Sequence, residues 1–355
     1  MRVAFYLNSV SPHQLPLVRE VAALLGQKEV LYVYVSDVSD GRLKCGWAST
    51  KENAGVRLIH VDSDEARDWL ENADVVYSGL RDFALFARRQ AKGLRTFYAS
   101  ERWFKPIPLG GFLLPGWLRV MSPFYLKMAI KFLKWQRSDP MSRCFAIGPN
   151  AAKDFRFMGI SPNKIIPWGY YVDHNWNPAA RHEPLGYKIE RRILWVGRMV
   201  ALKRVDTIIS ALKLLIEKKI QSSFTYKLTL VGDGPEREHL RKLSSGLPVN
   251  FLPFQPIEAI RGIMRTHDVF VFPSNGLEGW GAVVNEALSE GMVVLGSAAP
   301  GANLALLPRD RQFRVGDARH LARLLSSDWT ADGLSEQWMP KGAAKTLLQI
   351  AGKQN

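Results

Sequence analysis

Cysteine is almost absent from this chain: two residues in 355, Cys45 and Cys144, far apart in the sequence. That excludes a disulfide framework and any cysteine-built zinc site, and it suits a reducing compartment. Acidic residues are few beside basic ones, 33 Asp and Glu against 48 Lys and Arg, a formal net charge of +15. A continuous apolar run of membrane-spanning length is also missing. Ile107 to Leu126 comes nearest, but Pro108, Pro115, Pro123 and Arg119 interrupt it. The opening MRVAFYLNSV is too short for the apolar core of a signal peptide and has no small-residue cleavage site; it reads as a strand. One acidic pair has metal-ligand spacing, Asp62-Ser63-Asp64. It follows a strand and precedes EARDWLENA, where acids in a first helical turn account for it, so no metal and no cofactor are expected.

What is present is a chain long enough for two cores. Its hydrophobic share of 47% and charged share of 23% are ordinary. The basic excess points to nucleic acid, an anionic membrane or a phosphorylated substrate. Eleven Trp and seventeen Phe suit a membrane interface better than a duplex. No nucleic-acid motif is recognisable, and nucleic acid is not an expected partner.

Apolar runs at Val3 to Leu7, Val30 to Val35, Arg57 to Val61, Val75 to Tyr77 and Arg95 to Ala99 alternate with helical stretches. Such alternation predicts a parallel α/β sheet, whose ligands bind beyond the carboxyl ends of the strands. Ser11-Pro12 is read as the cap of the first helix. Two loops in this half carry candidate contacts. His13 follows the first strand, placed either to touch a sugar or phosphate or to help cap the helix. Glu101, in Ser100-Glu101-Arg102, is placed to bind acceptor hydroxyls or to form a structural ion pair.

The stretch HDVFVFPSNGLEGWGAVVNEALSEGMVVLGS, His267 to Ser297, reads as strand, glycine loop, helix, strand. The helix is expected from about Ala282 to Glu290, stopped by Gly291. The first amides of a helix favour an anion, and Gly279 and Gly281 permit close approach to the backbone. Glu278 and Glu286 flank that point. Carboxylates do not hold phosphate; they accept hydrogen bonds from hydroxyls. A ligand with both groups is a nucleotide or a nucleotide sugar.

Upstream, the strand Arg192 to Gly197 leads through Arg198 to Lys203, which is expected to open a helix. Two cations at one strand-to-helix turn suit a diphosphate, the guanidinium gripping two oxygens and the ammonium acting as a point charge. A second strand ends in Gly232-Asp233-Gly234-Pro235, and a third leads to Pro253-Phe254-Gln255-Pro256.

VGRMVALKRVDTIISAL, the GDGP turn and EGWGAVVNEAL together resemble the retaining glycosyltransferases of family four, densely so from about Arg192 to Ser297. The resemblance implies the GT-B fold: α/β, two Rossmann-like doubly wound domains facing each other across a cleft. It implies that Arg198 and Lys203 neutralise the leaving diphosphate. It places Glu278 against the donor sugar, Glu286 on the ribose, and the amides near Gly281 and Ala282 on the diphosphate. Gly232 would line the nucleotide pocket and Phe254 would neighbour the base, uridine or guanosine. The expected domains are 1–172 for the acceptor, 173–340 for the nucleotide sugar, and a final helix, 341–355, returning to the first domain. Gly169 to Asp173 and the polar stretch from Asn175 to Glu190 read as the join.

Ser122-Pro123 begins a helix on which Phe124, Tyr125, Met128, Phe132 and Trp135 recur beside Lys127, Lys131 and Lys134. With Gly110 to Leu114 and Trp117 ahead of it, this reads as an element for an anionic membrane surface; the alternative is a packing helix with a solvated basic face. The combined expectation is a metal-independent enzyme, cytoplasmic and peripheral on the inner face of the membrane. It would move a sugar from a nucleoside diphosphate sugar to a saccharide, often a lipid-linked one, in polysaccharide or lipopolysaccharide assembly. The alternatives are an epimerase or hydrolase of the same fold, a basic nucleic-acid-binding protein, and a non-catalytic partner.

Overall fold

The computed structural model describes residues 1–38, 51–52, 54–109, 112–173, 190–331 and 333–352. Cys45, the Gly110-Gly111 pair and nearly all of the polar joining stretch lie outside the described residues. The chain divides into two compact units, 1–173 together with 335–355, and 174–334.

The first unit is built on β1 (Val3–Leu7), β2 (Val30–Tyr34), β3 (Leu58–His60), β4 (Val75–Ser78), β5 (Arg95–Ser100), β8 (Arg143–Ile147) and β9 (Ile165–Trp168). Its sheet has the order β3-β2-β1-β4-β5-β8-β9, with every pair parallel. Helices joining the strands cover both faces, which is why β1 and β4 are apolar without alternation and buried throughout. A two-stranded antiparallel hairpin, β6 (Ile107–Leu109) and β7 (Phe112–Leu114), stands apart from this sheet. The near-spanning run from Ile107 is therefore hairpin, 3-10 turn and helix start, and among the described residues no helix is long and apolar enough to cross a membrane.

Three local expectations needed correction. The first helix begins at Leu15, not at Ser11-Pro12; Ser11 instead makes a turn whose carbonyl accepts from the Gln14 and Leu15 amides. Lys203 ends a 3-10 turn, Ala201–Lys203, and the helix Val205–Ile216 starts after Arg204, whose φ of 49° breaks the run. On the helix Pro123–Ser138 the aromatic stripe is split. Phe132 and Trp135 are buried in the core, Phe132 against Phe83 and Trp135 against Phe86, while Phe124 is exposed. The acids at Asp62-Ser63-Asp64 do start a helix: the Ser63 hydroxyl accepts from the Ala66 amide at 3.1 Å.

The helix Pro340–Ile350 packs on Leu15–Leu25 within the first unit, burying Ala343, Ala344, Leu347 and Leu348.

The second unit carries β10 (Glu190–Val196), β11 (Thr225–Val231), β12 (Val249–Leu252), β13 (Val269–Phe272), β14 (Val293–Ser297) and β15 (Gln312–Phe313). They form one parallel sheet in the order β12-β11-β10-β13-β14-β15. Strand order runs outward in one direction from β10 and in the other from β13. In a doubly wound sheet that reversal opens a crevice at the carboxyl ends of the two strands. Asp268, buried at the other end, locks the pair by accepting from the Arg192 amide at 2.9 Å and pairing with its guanidinium at 3.2 Å.

Candidate functional site

The chain leaves β10 into the turn Gly197 to Val200. That turn lies backbone against backbone on the one following β11: Met199 N–H donates to Asp233 O at 2.7 Å and Glu236 N–H to Met199 O at 3.1 Å. A Cβ on Gly232 would overlap the Gly197 carbonyl oxygen, and one on Gly234 the Met199 carbonyl oxygen. Only glycine allows the two turns to stack so closely. The stack presents Arg198 outward, exposed, with no ion pair or side-chain hydrogen bond among the described residues. The Arg237 guanidinium donates to Gly232 O at 2.5 Å and braces the stack from behind.

Lys203 sits one turn further on. Its Nζ lies 2.5 Å from Glu278 Oε2 and 5.0 Å from the centre of the Phe272 ring. Both charged groups are largely buried. The loop after β13 is tied to the same turn, Asn275 N–H donating to Leu202 O at 2.9 Å. It is also folded on itself: the Leu277 amide donates to Asn275 Oδ1 at 3.0 Å and the Glu278 amide to Asn275 O at 3.1 Å. Trp280 is buried beneath it, with its indole N–H on Asn285 Oδ1 at 2.8 Å. Gly281, at φ 97°, lies so close to the Phe272 ring that a Cβ would overlap it. Ala282 then leads into the helix Val283–Ser289, one residue shorter at each end than the sequence reading.

On that helix, burial pushes the Glu286 carboxyl up to about 7; Arg261 acts to lower it and Glu290 to raise it. Glu290 is itself buried between Arg265, at 2.7 Å, and Arg261, at 3.6 Å. The structure thus gathers Arg198, Lys203, Glu278, Gly232, Gly281 and Ala282 onto turns at the switch point of one sheet. Phe254 stands separately, exposed on the loop after the edge strand β12. A phosphate reaching Lys203 meets a carboxylate at the same point. That favours a ligand whose phosphates are next to hydroxyls over a bare anion.

The first unit holds its own cluster. Tyr170 Oη donates to Glu101 Oε1 at 3.2 Å and its ring stacks on His13 at 6.5 Å. Glu101 Oε2 pairs with Lys105 at 2.8 Å. His13 does not cap the helix; Gln14 occupies the cap position. Sequence reasoning misses Tyr170 because Gly169 to Asp173 reads only as a join; its phenol beside two polar candidates is visible only once β1, β5 and β9 belong to one sheet. Trp117, Lys127, Lys131 and Lys134 are all exposed. Among the described residues no group of three metal-ligating side chains is assembled.

Comparison with known proteins finds likenesses of sequence in the second unit and of fold across the chain. Residues 190–327 match the family model described as Glycosyl transferases group 1. The sulfoquinovosyl transferase SQD2 of Arabidopsis thaliana is 29% identical over 178 residues, 47% of this chain and 33% of that protein. An uncharacterised glycosyltransferase of Methanocaldococcus jannaschii is 29% identical over 145 residues, 39% of this chain and 36% of its own. The matched stretch thus spans about a third of the length of each of these curated relatives. Among solved structures, Anabaena HepE in complex with UDP superposes with a TM-score of 0.62 at 15% identity, covering 99% of this chain and 98% of the other. The apo form of the lipopolysaccharide outer core galactosyltransferase WaaB gives 0.59 at 16%, covering 92% and 89%. These likenesses show the fold, that of the GT-B glycosyltransferases.

Proposed function

We propose, for a chain whose second unit is a glycosyl transferases group 1 domain, a retaining glycosyltransferase. It moves a sugar from a nucleoside diphosphate sugar to a hydroxyl of a saccharide acceptor, a lipid-linked one, in polysaccharide or lipopolysaccharide assembly. The observation that carries this reading is the Lys203–Glu278 pair at the switch point, with Arg198 exposed on the preceding turn and without an ion pair among the described residues. Breaking the bond between the anomeric carbon and the phosphate builds negative charge on the leaving diphosphate and positive charge on the sugar. Arg198 and Lys203 stabilise the first; Glu278 orients the donor and faces the second. The diphosphate itself takes the acceptor's proton on the same face of the sugar, so no protein nucleophile and no metal are needed. Glu286 accepts from the ribose hydroxyls and the Gly281–Ala282 amides meet the diphosphate. That HepE has been solved with UDP and with UDP-glucose favours a uridine donor.

The acceptor is reached at the membrane. Exposed Trp117, Lys127, Lys131 and Lys134 on the first unit suit the inner, anionic face of a bilayer, with the protein held peripherally. A panel of nucleotide sugars, read first by thermal shift and then by product formation with and without a lipid-linked acceptor, tests the reading. Stabilisation by one donor and acceptor-dependent release of its nucleoside diphosphate are expected. Turnover of the donor with no acceptor added would instead indicate an epimerase or hydrolase.

A further inference from the structure

Away from the switch-point turns, the first unit contains a surface cavity of about 510 Å³, inside the range of small-molecule sites. Its walls are Phe104, Pro106, Leu114, Trp117 and Phe157; its polar groups are Arg102, Lys153 and Asp154. Three parts of the fold are clamped together to make it. Gly116 lies against the Phe104 carbonyl so tightly that a Cβ would overlap it. Arg119 Nε donates to Lys105 O at 2.9 Å, and the Phe104 amide donates to Asp154 Oδ2 at 2.9 Å. The cavity is therefore a product of the backbone arrangement and not a gap between loose side chains.

Its chemistry is divided. Phe104 is buried and meets Phe157 edge-on at 5.6 Å, while Phe157 and Trp117 remain 66% and 50% exposed at the rim. Arg102 has its Nε enclosed without a hydrogen-bond partner among the described residues, 3.9 Å from Asp154. Burial pushes the Asp154 carboxyl up, and its Oδ2 is already engaged by the Phe104 amide. Lys153 adds an exposed second cation. Beyond Trp117 the chain continues directly into exposed Met121, Phe124, Leu126 and Ile130, interleaved with the three lysines. Large apolar side chains left in water beside cations suit an amphiphile's partition between tail and headgroup.

We propose that this cavity seats one anionic phospholipid of the bilayer, its phosphate on Arg102 and Lys153 and the start of an acyl chain against Phe104, Leu114, Trp117 and Phe157. The inference goes beyond the peripheral docking proposed above: it adds a saturable site for a single lipid to a diffuse attraction of charge.

The test uses the full chain and a short-chain probe, dihexanoyl-phosphatidylglycerol kept below its micelle-forming concentration, so that no vesicle is involved. Saturable binding by calorimetry or NMR is expected, weakened tenfold or more in Phe157→Ser and in Lys153→Glu, two exposed positions whose change leaves the core intact. The triple variant Lys127→Glu, Lys131→Glu, Lys134→Glu should keep probe binding while losing attachment to phosphatidylcholine–phosphatidylglycerol vesicles. That outcome separates the cavity from the docking face. No saturable binding, equal binding of dihexanoyl-phosphatidylcholine, or displacement by millimolar inorganic phosphate would each overturn the proposal. Failure of vesicle attachment alone would count against the docking reading and leave the cavity standing on its own result.

Discussion

Gly232 meets the carbonyl oxygen of Gly197 across two stacked turns, with no room between them for a single methyl group. Gly232 also has φ 133°, a conformation other residues reach only with strain. Because the Gly197 turn carries Arg198, any side chain at 232 displaces a proposed diphosphate ligand by pushing backbone. Gly232→Ala is expected to cost roughly 1–3 kcal/mol of stability. It should also weaken nucleoside diphosphate binding, read as a reduced thermal shift on adding UDP. Unaltered stability and an unaltered shift would show that the turns relax independently.

Arg198 and Lys203 should separate cleanly on mutation. Arg198 is exposed and unpaired among the described residues, so Arg198→Ala should change stability by less than about 0.5 kcal/mol. Lys203→Ala strips a largely buried Glu278 of its cation, at a cost of roughly 1–3 kcal/mol. Both should lower the transfer rate about a hundred- to a thousandfold, the usual loss on removing a group that stabilises developing negative charge. Chemical denaturation beside single-turnover assays of each variant makes the comparison. Loss of activity with Lys203→Ala alone would exclude Arg198 from the leaving-group site.

These two residues also mark how far the sequence reaches. The sheets were legible because most strands are apolar runs, several of them ended by glycine as at Gly79, Gly148, Gly169, Gly197 and Gly232, and helices of period 3.6 lie between. The turns at Gly197, Gly232 and Gly281 were legible because glycine stands where backbone crowds backbone or ring. What could not be read was which charge meets which. Lys203 and Glu278 are 75 positions apart, and nothing local announces their ion pair. Likewise Phe132 and Phe124 fall on one apparent aromatic stripe, but the sheet claims one and leaves the other in water. Tyr170 joins His13 and Glu101 only because β1, β5 and β9 belong to one sheet.

Glu286 gives a pH dependence of known sign. Its carboxyl is raised from 4.5 to about 7 by burial, so between those values the folded protein holds a proton that the unfolded chain has released. Stability therefore falls as pH rises through that window, and the fall is complete above the folded value. Glu286→Gln should flatten the dependence of the melting temperature between pH 5 and 7.5 and raise the midpoint near neutrality. If ribose hydroxyls donate to the ionised carboxylate, nucleoside affinity should climb through pH 7 in the wild type and stay level in the variant. Using uridine without phosphates keeps phosphate titration out of the measurement.

The helix Pro123–Ser138 offers a test in which two substitutions on one element must behave oppositely. Phe132 is buried among Phe83, Tyr98, Trp103, Trp135 and Phe155, so Phe132→Ala should cost about 3–5 kcal/mol. Ile130, two residues earlier, is exposed, and Ile130→Ser should leave the melting temperature within a degree or two. Its effect should fall on attachment to anionic vesicles. Neutralising Lys127, Lys131 and Lys134 together should weaken that attachment by roughly 3 kcal/mol, about a hundredfold, at about 1 kcal/mol for each lysine near the surface. Raising salt should reproduce the lysine effect and spare the Ile130 effect, since only the former is screened. Vesicle co-sedimentation at two ionic strengths separates the contributions; attachment indifferent to both sets of changes would place the membrane contact on another face of the first unit.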